Sequence, residues 1–272
     1  MKNIPVVPLV LGEYRGWLSR DFKSTRMLEC LKNPNNLMNG PSSQVLLDGR
    51  NKVVKVEISS FKVKRIVVIK EYRTRGVDTL KSALLPSKAV RAWRGAAALV
   101  KRDVETPFPI AFFQSKKGPF VDRSFFISEW VEYYREIREL FQEKDEEKLR
   151  PLLVALSDFL CRCFNKNILH RDLSDGNILV KEQNGVYRFM MVDTNRIRVR
   201  RRIGWFRKVR SIIRLGIPSA LQPFFMELCL GNGRGKKLYW LVYKMCKAFY
   251  SGRIAIKKKL RLKKIVRKMK IQ

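Results

Sequence analysis

The sequence predicts an α+β chain in two lobes, a small β-rich N-terminal lobe over residues 1–132 and a helical C-terminal lobe over residues 133–272. Three observations lead there. Three short β-branched runs, "SQVLLDG", "NKVVKVEI" and "KRIVVIKEY", follow one another with only "DGRN" and "SSFK" at their junctions. A period-3.6 apolar pattern then dominates from "LRPLLVALSDFLCRCFNKN" to the end. Charge divides the same way: from Arg196 onward there are 24 Lys and Arg against one acid, Glu227, so the last 77 residues hold +23 of the chain's net +34.

Element by element, the three β-branched runs read as consecutive antiparallel strands, and Asp48-Gly49 is a hairpin signal between the first two. Pro86-Ser87 opens a helix in "SKAVRAWRGAAALVKRD", with Val90, Trp93, Ala97 and Val100 on one stripe. "TPFPIAFFQ" and "RSFFISEWVE" supply two further strands. The leucine-rich helix that follows runs straight into "ILHRDLSDGNILV", and "VYRFMMVDTNRIRV" is a strand that ends in a polar turn. The lobe boundary falls between Glu132 and Glu139. No internal repeat is present.

Composition excludes several classes. Hydrophobic residues make up 46% of the chain, enough for a real core. Five cysteines form no Cys-x-x-Cys pair and only one histidine is present, so neither a disulfide framework nor a thiol–imidazole zinc cluster is expected, and reduced thiols in a cytosolic protein are. No run approaches 18 uncharged apolar residues, so no transmembrane helix is expected. The N-terminal "MKNIPVVPLVLGEYRG" is short, interrupted by prolines and without a small-residue cleavage site, which argues against a signal peptide. "GNGRGKK" (231–237) lacks P-loop spacing and its Ser/Thr, and reads as a basic loop between helices. The charge points to a polyanionic partner: an anionic membrane face, a phosphorylated lipid or nucleic acid.

Asp172 and Asn177 lie five residues apart in a loop, Asp193 ends the next apolar strand, and Lys70 closes "RIVVIK" far upstream. Phosphoryl transfer needs this set. A strand lysine can neutralise phosphates, an amide oxygen and a carboxylate can hold Mg²⁺, and a loop aspartate can orient and deprotonate a hydroxyl.

In this order the residues resemble the protein-kinase-like superfamily over roughly residues 43–200: "HRDLSDGN" matches its catalytic loop, "VVIK" its ATP-binding strand, and "VDTN" stands where Asp-Phe-Gly would. A closer resemblance is to the bacterial lipopolysaccharide kinases of Kdo or heptose, carried by "HRDLSDGNILV" with "VDTNRIRV", by "PSKAVRAWRGAAALV" followed by "TPFPIAF", and by the basic helical end. The resemblance implies a protein-kinase-like bilobal fold and an ATP- and Mg²⁺-dependent kinase of a sugar hydroxyl in the lipid A–inner-core glycolipid. Such an enzyme would be peripheral on the cytoplasmic face of the bacterial inner membrane. It further implies Asp172 as general base, Asn177 and Asp193 as metal ligands, and Lys70 on the phosphates. Gly49 would lie in the covering hairpin, backbone groups near Glu129 and Val131 would meet adenine, and His170 would brace the loop beneath Asp172.

Several features depart from the superfamily pattern. No G-x-G-x-x-G precedes the strands, and helix 87–102 holds no acid to pair with Lys70, which leaves Glu57 on the neighbouring strand as a candidate. Ser174 replaces the lysine of Ser/Thr protein kinases, and no Ala-Pro-Glu element follows Asp193, which favours a small-molecule or glycolipid acceptor over a protein. Arg196 and Arg198 directly follow the metal turn and are candidates for reading a carboxylate or phosphate of the acceptor. Leu262, Ile265, Val266 and Met269 form the apolar stripe of a basic amphipathic C-terminus suited to anionic lipid or to docking on its own lobe. Two alternatives stand beside this reading: a RIO-like atypical kinase or ATPase on a ribonucleoprotein, and a pseudokinase that binds anionic lipid. Nucleic acid is the less expected partner, because the aromatics lie in apolar runs rather than in a basic sheet.

Overall fold

The computed structural model describes residues 3–60, 63–73, 76–143, 145–231 and 235–269. In chain order its elements are β1 (Val6–Leu11), β2 (Tyr14–Ser19), α1 (Thr25–Lys32), α2 (Pro34–Asn39), β3 (Ser43–Asp48), β4 (Asn51–Ser60), β5 (Val63–Arg73), α3 (Val77–Leu84), α4 (Lys88–Lys101), β6 (Pro109–Lys117) and β7 (Phe120–Glu129). There follow a two-residue β8 (Arg135–Glu136), α5 (Ile137–Leu140), α6 (Glu146–Asn165), β9 (Ile168–His170), β10 (Ile178–Gln183), β11 (Val186–Met191), β12 (Ile197–Val199), α7 (Trp205–Ile212), α8 (Gln222–Leu230) and α9 (Lys236–Met269).

Two compact units result. The first holds residues 1–135 with 179–181 and 188–199; the second holds 136–178, 182–187 and 200–272. A single cut after Glu132 is therefore too simple. The end of β11 and the turn after it join the first unit, because Met191 N donates to Glu105 O at 3.0 Å and Thr106 Oγ1 donates to Met191 O at 2.8 Å.

The first unit is built on an antiparallel sheet of seven strands in the order β1-β2-β6-β7-β5-β4-β3. Successive side chains on a strand point to opposite faces, so one residue of offset decides what each meets. Val67 and Ile69 of β5, Val54 and Val56 of β4, and Phe125 and Ile127 of β7 bury one face together with Met27, Leu31 and Met38 from the α1–α2 segment. Tyr72, Phe112 and Phe126 point the other way, against Ala89, Ala92, Trp93 and Ala96 of α4. Lys70, two residues before Tyr72, shares that second face.

The buried side of α4 differs from the expected Val90–Trp93–Ala97–Val100 stripe. Ala89, Ala92, Trp93, Gly95, Ala96 and Leu99 are buried, and Val90, Ala97 and Val100 sit at the margins. Small residues win that face because the helix lies close against neighbouring backbone. Ser87 caps it, its Oγ accepting from Val90 N at 3.2 Å.

The proline-interrupted N-terminal run is strand β1, at the edge of the sheet, where Pro8 stands opposite Trp17. An edge strand tolerates proline, whose missing N–H is not needed on its outer side.

In the second unit the apolar face of α6, with Leu152, Leu153, Leu156, Leu160 and Phe164 all buried, packs on α8. Helix α9 contacts α7 and α8, yet among its described side chains only Tyr243 is fully buried. The side chains of Leu262, Ile265, Val266 and Met269 and residues 232–234 of the glycine-basic loop lie outside the described residues. Among the described residues no helix is long and apolar enough to cross a membrane.

Candidate active site

Lys70 and Asp193 meet inside the first unit, Lys70 Nζ lying 2.5 Å from Asp193 Oδ1 with both side chains about 22% exposed. β5 supplies the lysine, held between Val53 of β4 and Phe126 of β7 in the ladder. Burial alone would depress its ammonium, but Tyr72 and Asp193 beside it outweigh that and leave its pKa above the ordinary lysine value.

Asp193 adopts a left-handed conformation (φ 52°, ψ 46°), one that aspartate tolerates better than most residues. Three contacts fix the turn: Asn195 Nδ2 donates to Asp193 Oδ1 at 2.9 Å, Arg196 N to Asp193 O at 3.1 Å, and Thr194 Oγ1 to Ala92 O of α4 at 2.8 Å. Gly95 completes the dock, since a Cβ there would lie 2.0 Å from Thr194 O. Thus α4 carries no acid for Lys70; it grips the turn that brings one. Thr194 and Gly95 carry no signal in the sequence, because each meets its partner about a hundred residues away in the chain.

Glu57 does not take the place of a helix acid. It stands opposite Ile66 in the ladder while Lys70 stands opposite Val53, a separation of four residues or about 13 Å along the strand, and Lys64 reaches it at 3.3 Å. Gly49 lies in the exposed β3–β4 turn, closed by an Arg73–Asp48 pair at 2.9 Å.

At the end of β7, Glu129 N donates to Phe108 O and Trp130 N to Ile66 O, so neither donor is available to a base. The Glu129 side chain lines a cavity of about 360 Å³ together with Val67, and β-alternation puts Val67 on the face opposite Lys70. On the lysine's own face stand Val53, Lys55 and Val68, and the Lys55 ammonium lies 4.4 Å from the centre of the Trp130 ring. Arg198 donates to Ile197 O at 2.8 Å, bonding its own backbone, whereas Arg196 lines a pocket with Tyr72.

The second unit builds the other constellation. His170 is buried, and its Nδ1 accepts from Asp172 N at 3.2 Å, while Ser211 Oγ of α7 donates to the His170 carbonyl at 3.1 Å. Asn177 Nδ2 donates to Asp172 O at 2.7 Å, which leaves Oδ1 as the amide atom able to ligate a cation. Gly176 lies beside the guanidinium of Arg138, the far end of a flexible side chain that a Cβ there would push aside. The Asp172 carboxylate is paired with Arg214, whose guanidinium also lies 5.0 Å from the Tyr250 ring centre. Forty-two residues separate Arg214 from Asp172, and nothing in the local pattern marks it.

Each unit thus carries an oxygen of the kind a hard divalent cation prefers, Asp193 in the first and Asn177 in the second. Among the described residues no group of three or more His, Cys, Asp or Glu side chains could hold a metal alone.

The family model of the lipopolysaccharide kinase (Kdo/WaaP) family matches residues 77–217, just over half of the chain. Among solved structures, "WaaP in complex with acyl carrier protein" matches with a TM-score of 0.53 and 13% identity, over 76% of this chain and 88% of that one, a likeness of fold. No curated protein sequence matches.

Proposed function

Because the chain belongs to the lipopolysaccharide kinase (Kdo/WaaP) family, a family of phosphotransferases acting on a sugar hydroxyl, we propose that it transfers the γ-phosphoryl of ATP to a Kdo or heptose hydroxyl of the lipopolysaccharide inner core. The observation that carries the reading to these residues is the Lys70–Asp193 pair, an ammonium and a carboxylate 123 residues apart held at 2.5 Å by a strand and a left-handed turn.

In this reading Asp172 orients the acceptor hydroxyl and takes its proton as the new O–P bond forms and the bond from the γ-phosphorus to the leaving ADP oxygen breaks. Lys70 neutralises the phosphates, and the Val131 N–H with the Glu129 carbonyl reads adenine. Asn177 and Asp193 would be the residues to hold Mg²⁺, which would supply charge neutralisation on the phosphates. His170 keeps the Asp172 backbone in place and takes no proton. The exposed side of α9, with Leu238, Leu241, Met245, Phe249 and Ile256, rests on an anionic membrane surface beside the acceptor lipid.

The test is transfer of labelled γ-phosphate from ATP to purified lipid A–core acceptors by the wild type and by Asp172→Ala. We expect transfer by the wild type and none by the variant. No transfer to any glycolipid, with strong ATPase on a ribonucleoprotein, overturns the assignment.

A further inference from the structure

A pocket of about 300 Å³ in the first unit is lined by Arg50 of the β3–β4 turn, Lys81 of α3, Lys88 and Arg91 of α4, and Arg196 of the Asp193 turn, with Tyr72 as one wall. None of the residues lining it is acidic. Four separate segments deliver these five cations, so the cluster is a product of the fold rather than of a basic run. The first turn of α4 opens into the same space, with Ser87 and Lys88 on its rim, and adds the positive end of a 14-residue helix. Five positive side chains converging on one cavity draw an anion toward it.

The pocket adjoins the candidate phosphoryl site. Tyr72 forms its wall, and the Lys70 ammonium lies 5.3 Å from the Tyr72 ring centre. Arg196 is three residues beyond Asp193 and is close enough to bear electrostatically on Lys70. Lys70 and Asp193 themselves do not line the pocket, so an anion held there is a second one. Arginine forks with ammonium groups around them suit a phosphate monoester dianion better than a single carboxylate.

We propose that the Arg50–Lys81–Lys88–Arg91–Arg196 pocket is an anion site that binds a phosphate monoester already carried by the acceptor, and that it selects acceptors phosphorylated before this enzyme acts. The proposal rests on the glycolipid-kinase reading. It also orders two reactions: the acceptor's existing phosphate must be added first.

The experiment compares kcat/KM on a core glycolipid with its phosphate esters intact and on the same glycolipid after their removal. It uses the wild type, Lys88→Gln/Arg91→Gln, and the exposed Lys81→Gln as a variant that leaves packing untouched. The ratio of kcat/KM for phosphorylated over phosphate-free acceptor is expected to fall about tenfold in the double variant, the loss of one charge-assisted contact pair, and less in Lys81→Gln, with the KM for ATP unchanged. An unchanged ratio in both variants overturns the proposal, as does a raised ATP KM with an unchanged ratio, which would assign the pocket to the nucleotide.

A second arm separates this proposal from the kinase reading. If the wild type phosphorylates neither acceptor, that reading fails, and the pocket is judged by thermal stabilisation with inorganic phosphate. Stabilisation of the wild type and of a Lys116→Gln/Lys117→Gln surface control, lost in the double variant, supports the anion site. Equal stabilisation of all three proteins overturns it.

Discussion

His170 and Asp172 are two residues apart and answer to different physics. The histidine is buried, and its Nδ1 accepts the N–H of Asp172. Removing the ring leaves that N–H without its acceptor and leaves a cavity, a cost of about 1–3 kcal/mol for the polar group alone. Asp172 by contrast is about 35% exposed and its partner Arg214 about 32%, so losing the carboxylate removes a screened pair that contributes about 0–1 kcal/mol. We therefore expect His170→Ala to lower Tm by several degrees and to leave weak but measurable transfer. Asp172→Ala should keep Tm within a degree or two and transfer nothing. Calorimetry with the labelled-phosphate assay checks both, and a His170→Ala protein of unchanged Tm would remove the bracing role. The spacing "HRDLSDGN" made Asp172 and Asn177 legible because the loop is local. Arg214 was not, since the pairing depends on where α7 ends relative to the loop.

Helix α4 and the Asp193 turn form one device. The expected Lys70–acid pair exists, but the acid comes from the turn, and the helix contributes small residues. Sequence periodicity found α4 and its Ser87 cap, and the β-branched runs found β3 to β5. It did not show that Gly95 faces Thr194, because a glycine inside a helix carries no periodic signal. β1 was missed for a related reason: prolines argue against a strand, and only the edge position excuses them. The device yields a prediction. Gly95→Ala places a methyl group 2.0 Å from Thr194 O, where the atom it meets is backbone and cannot swing aside. The turn must lift from α4, at a cost of about 1–3 kcal/mol typical of overpacking, and carry Asp193 away from Lys70. Activity should fall at least tenfold, whereas Ala97→Gly on the margin of the same helix costs only helix propensity, about 1 kcal/mol, and keeps activity. Equal effects at the two positions would show that the Thr194 contact does not matter.

At the scale of the whole molecule, charge and exposed apolar surface coincide. The net charge is +34, and two-thirds of it follows Asp193. On α9, Leu238 (52% exposed), Met245 (63%), Phe249 (76%) and Ile256 (62%) recur at intervals of seven, four and seven residues, which keeps them on one side of a 3.6-residue helix. Lys237, Lys244 and Arg253 flank that stripe. This stripe lies upstream of the one expected at Leu262, Ile265, Val266 and Met269, whose side chains lie outside the described residues. An apolar stripe with basic flanks is the pattern of a helix lying in the headgroup boundary, where each nearby cation adds about 1 kcal/mol on an anionic surface. RNA would engage the charge and not the stripe, so the two partners part under mutation and salt. Flotation with vesicles containing anionic lipid should recover the wild type at 0.1 M salt, and neutral vesicles should recover little. Met245→Ser/Phe249→Ser should cut recovery on anionic vesicles several-fold with net charge unchanged, and retention on RNA at matched salt should not move. If the double variant floats like the wild type, charge alone holds the protein to lipid and the stripe has another use.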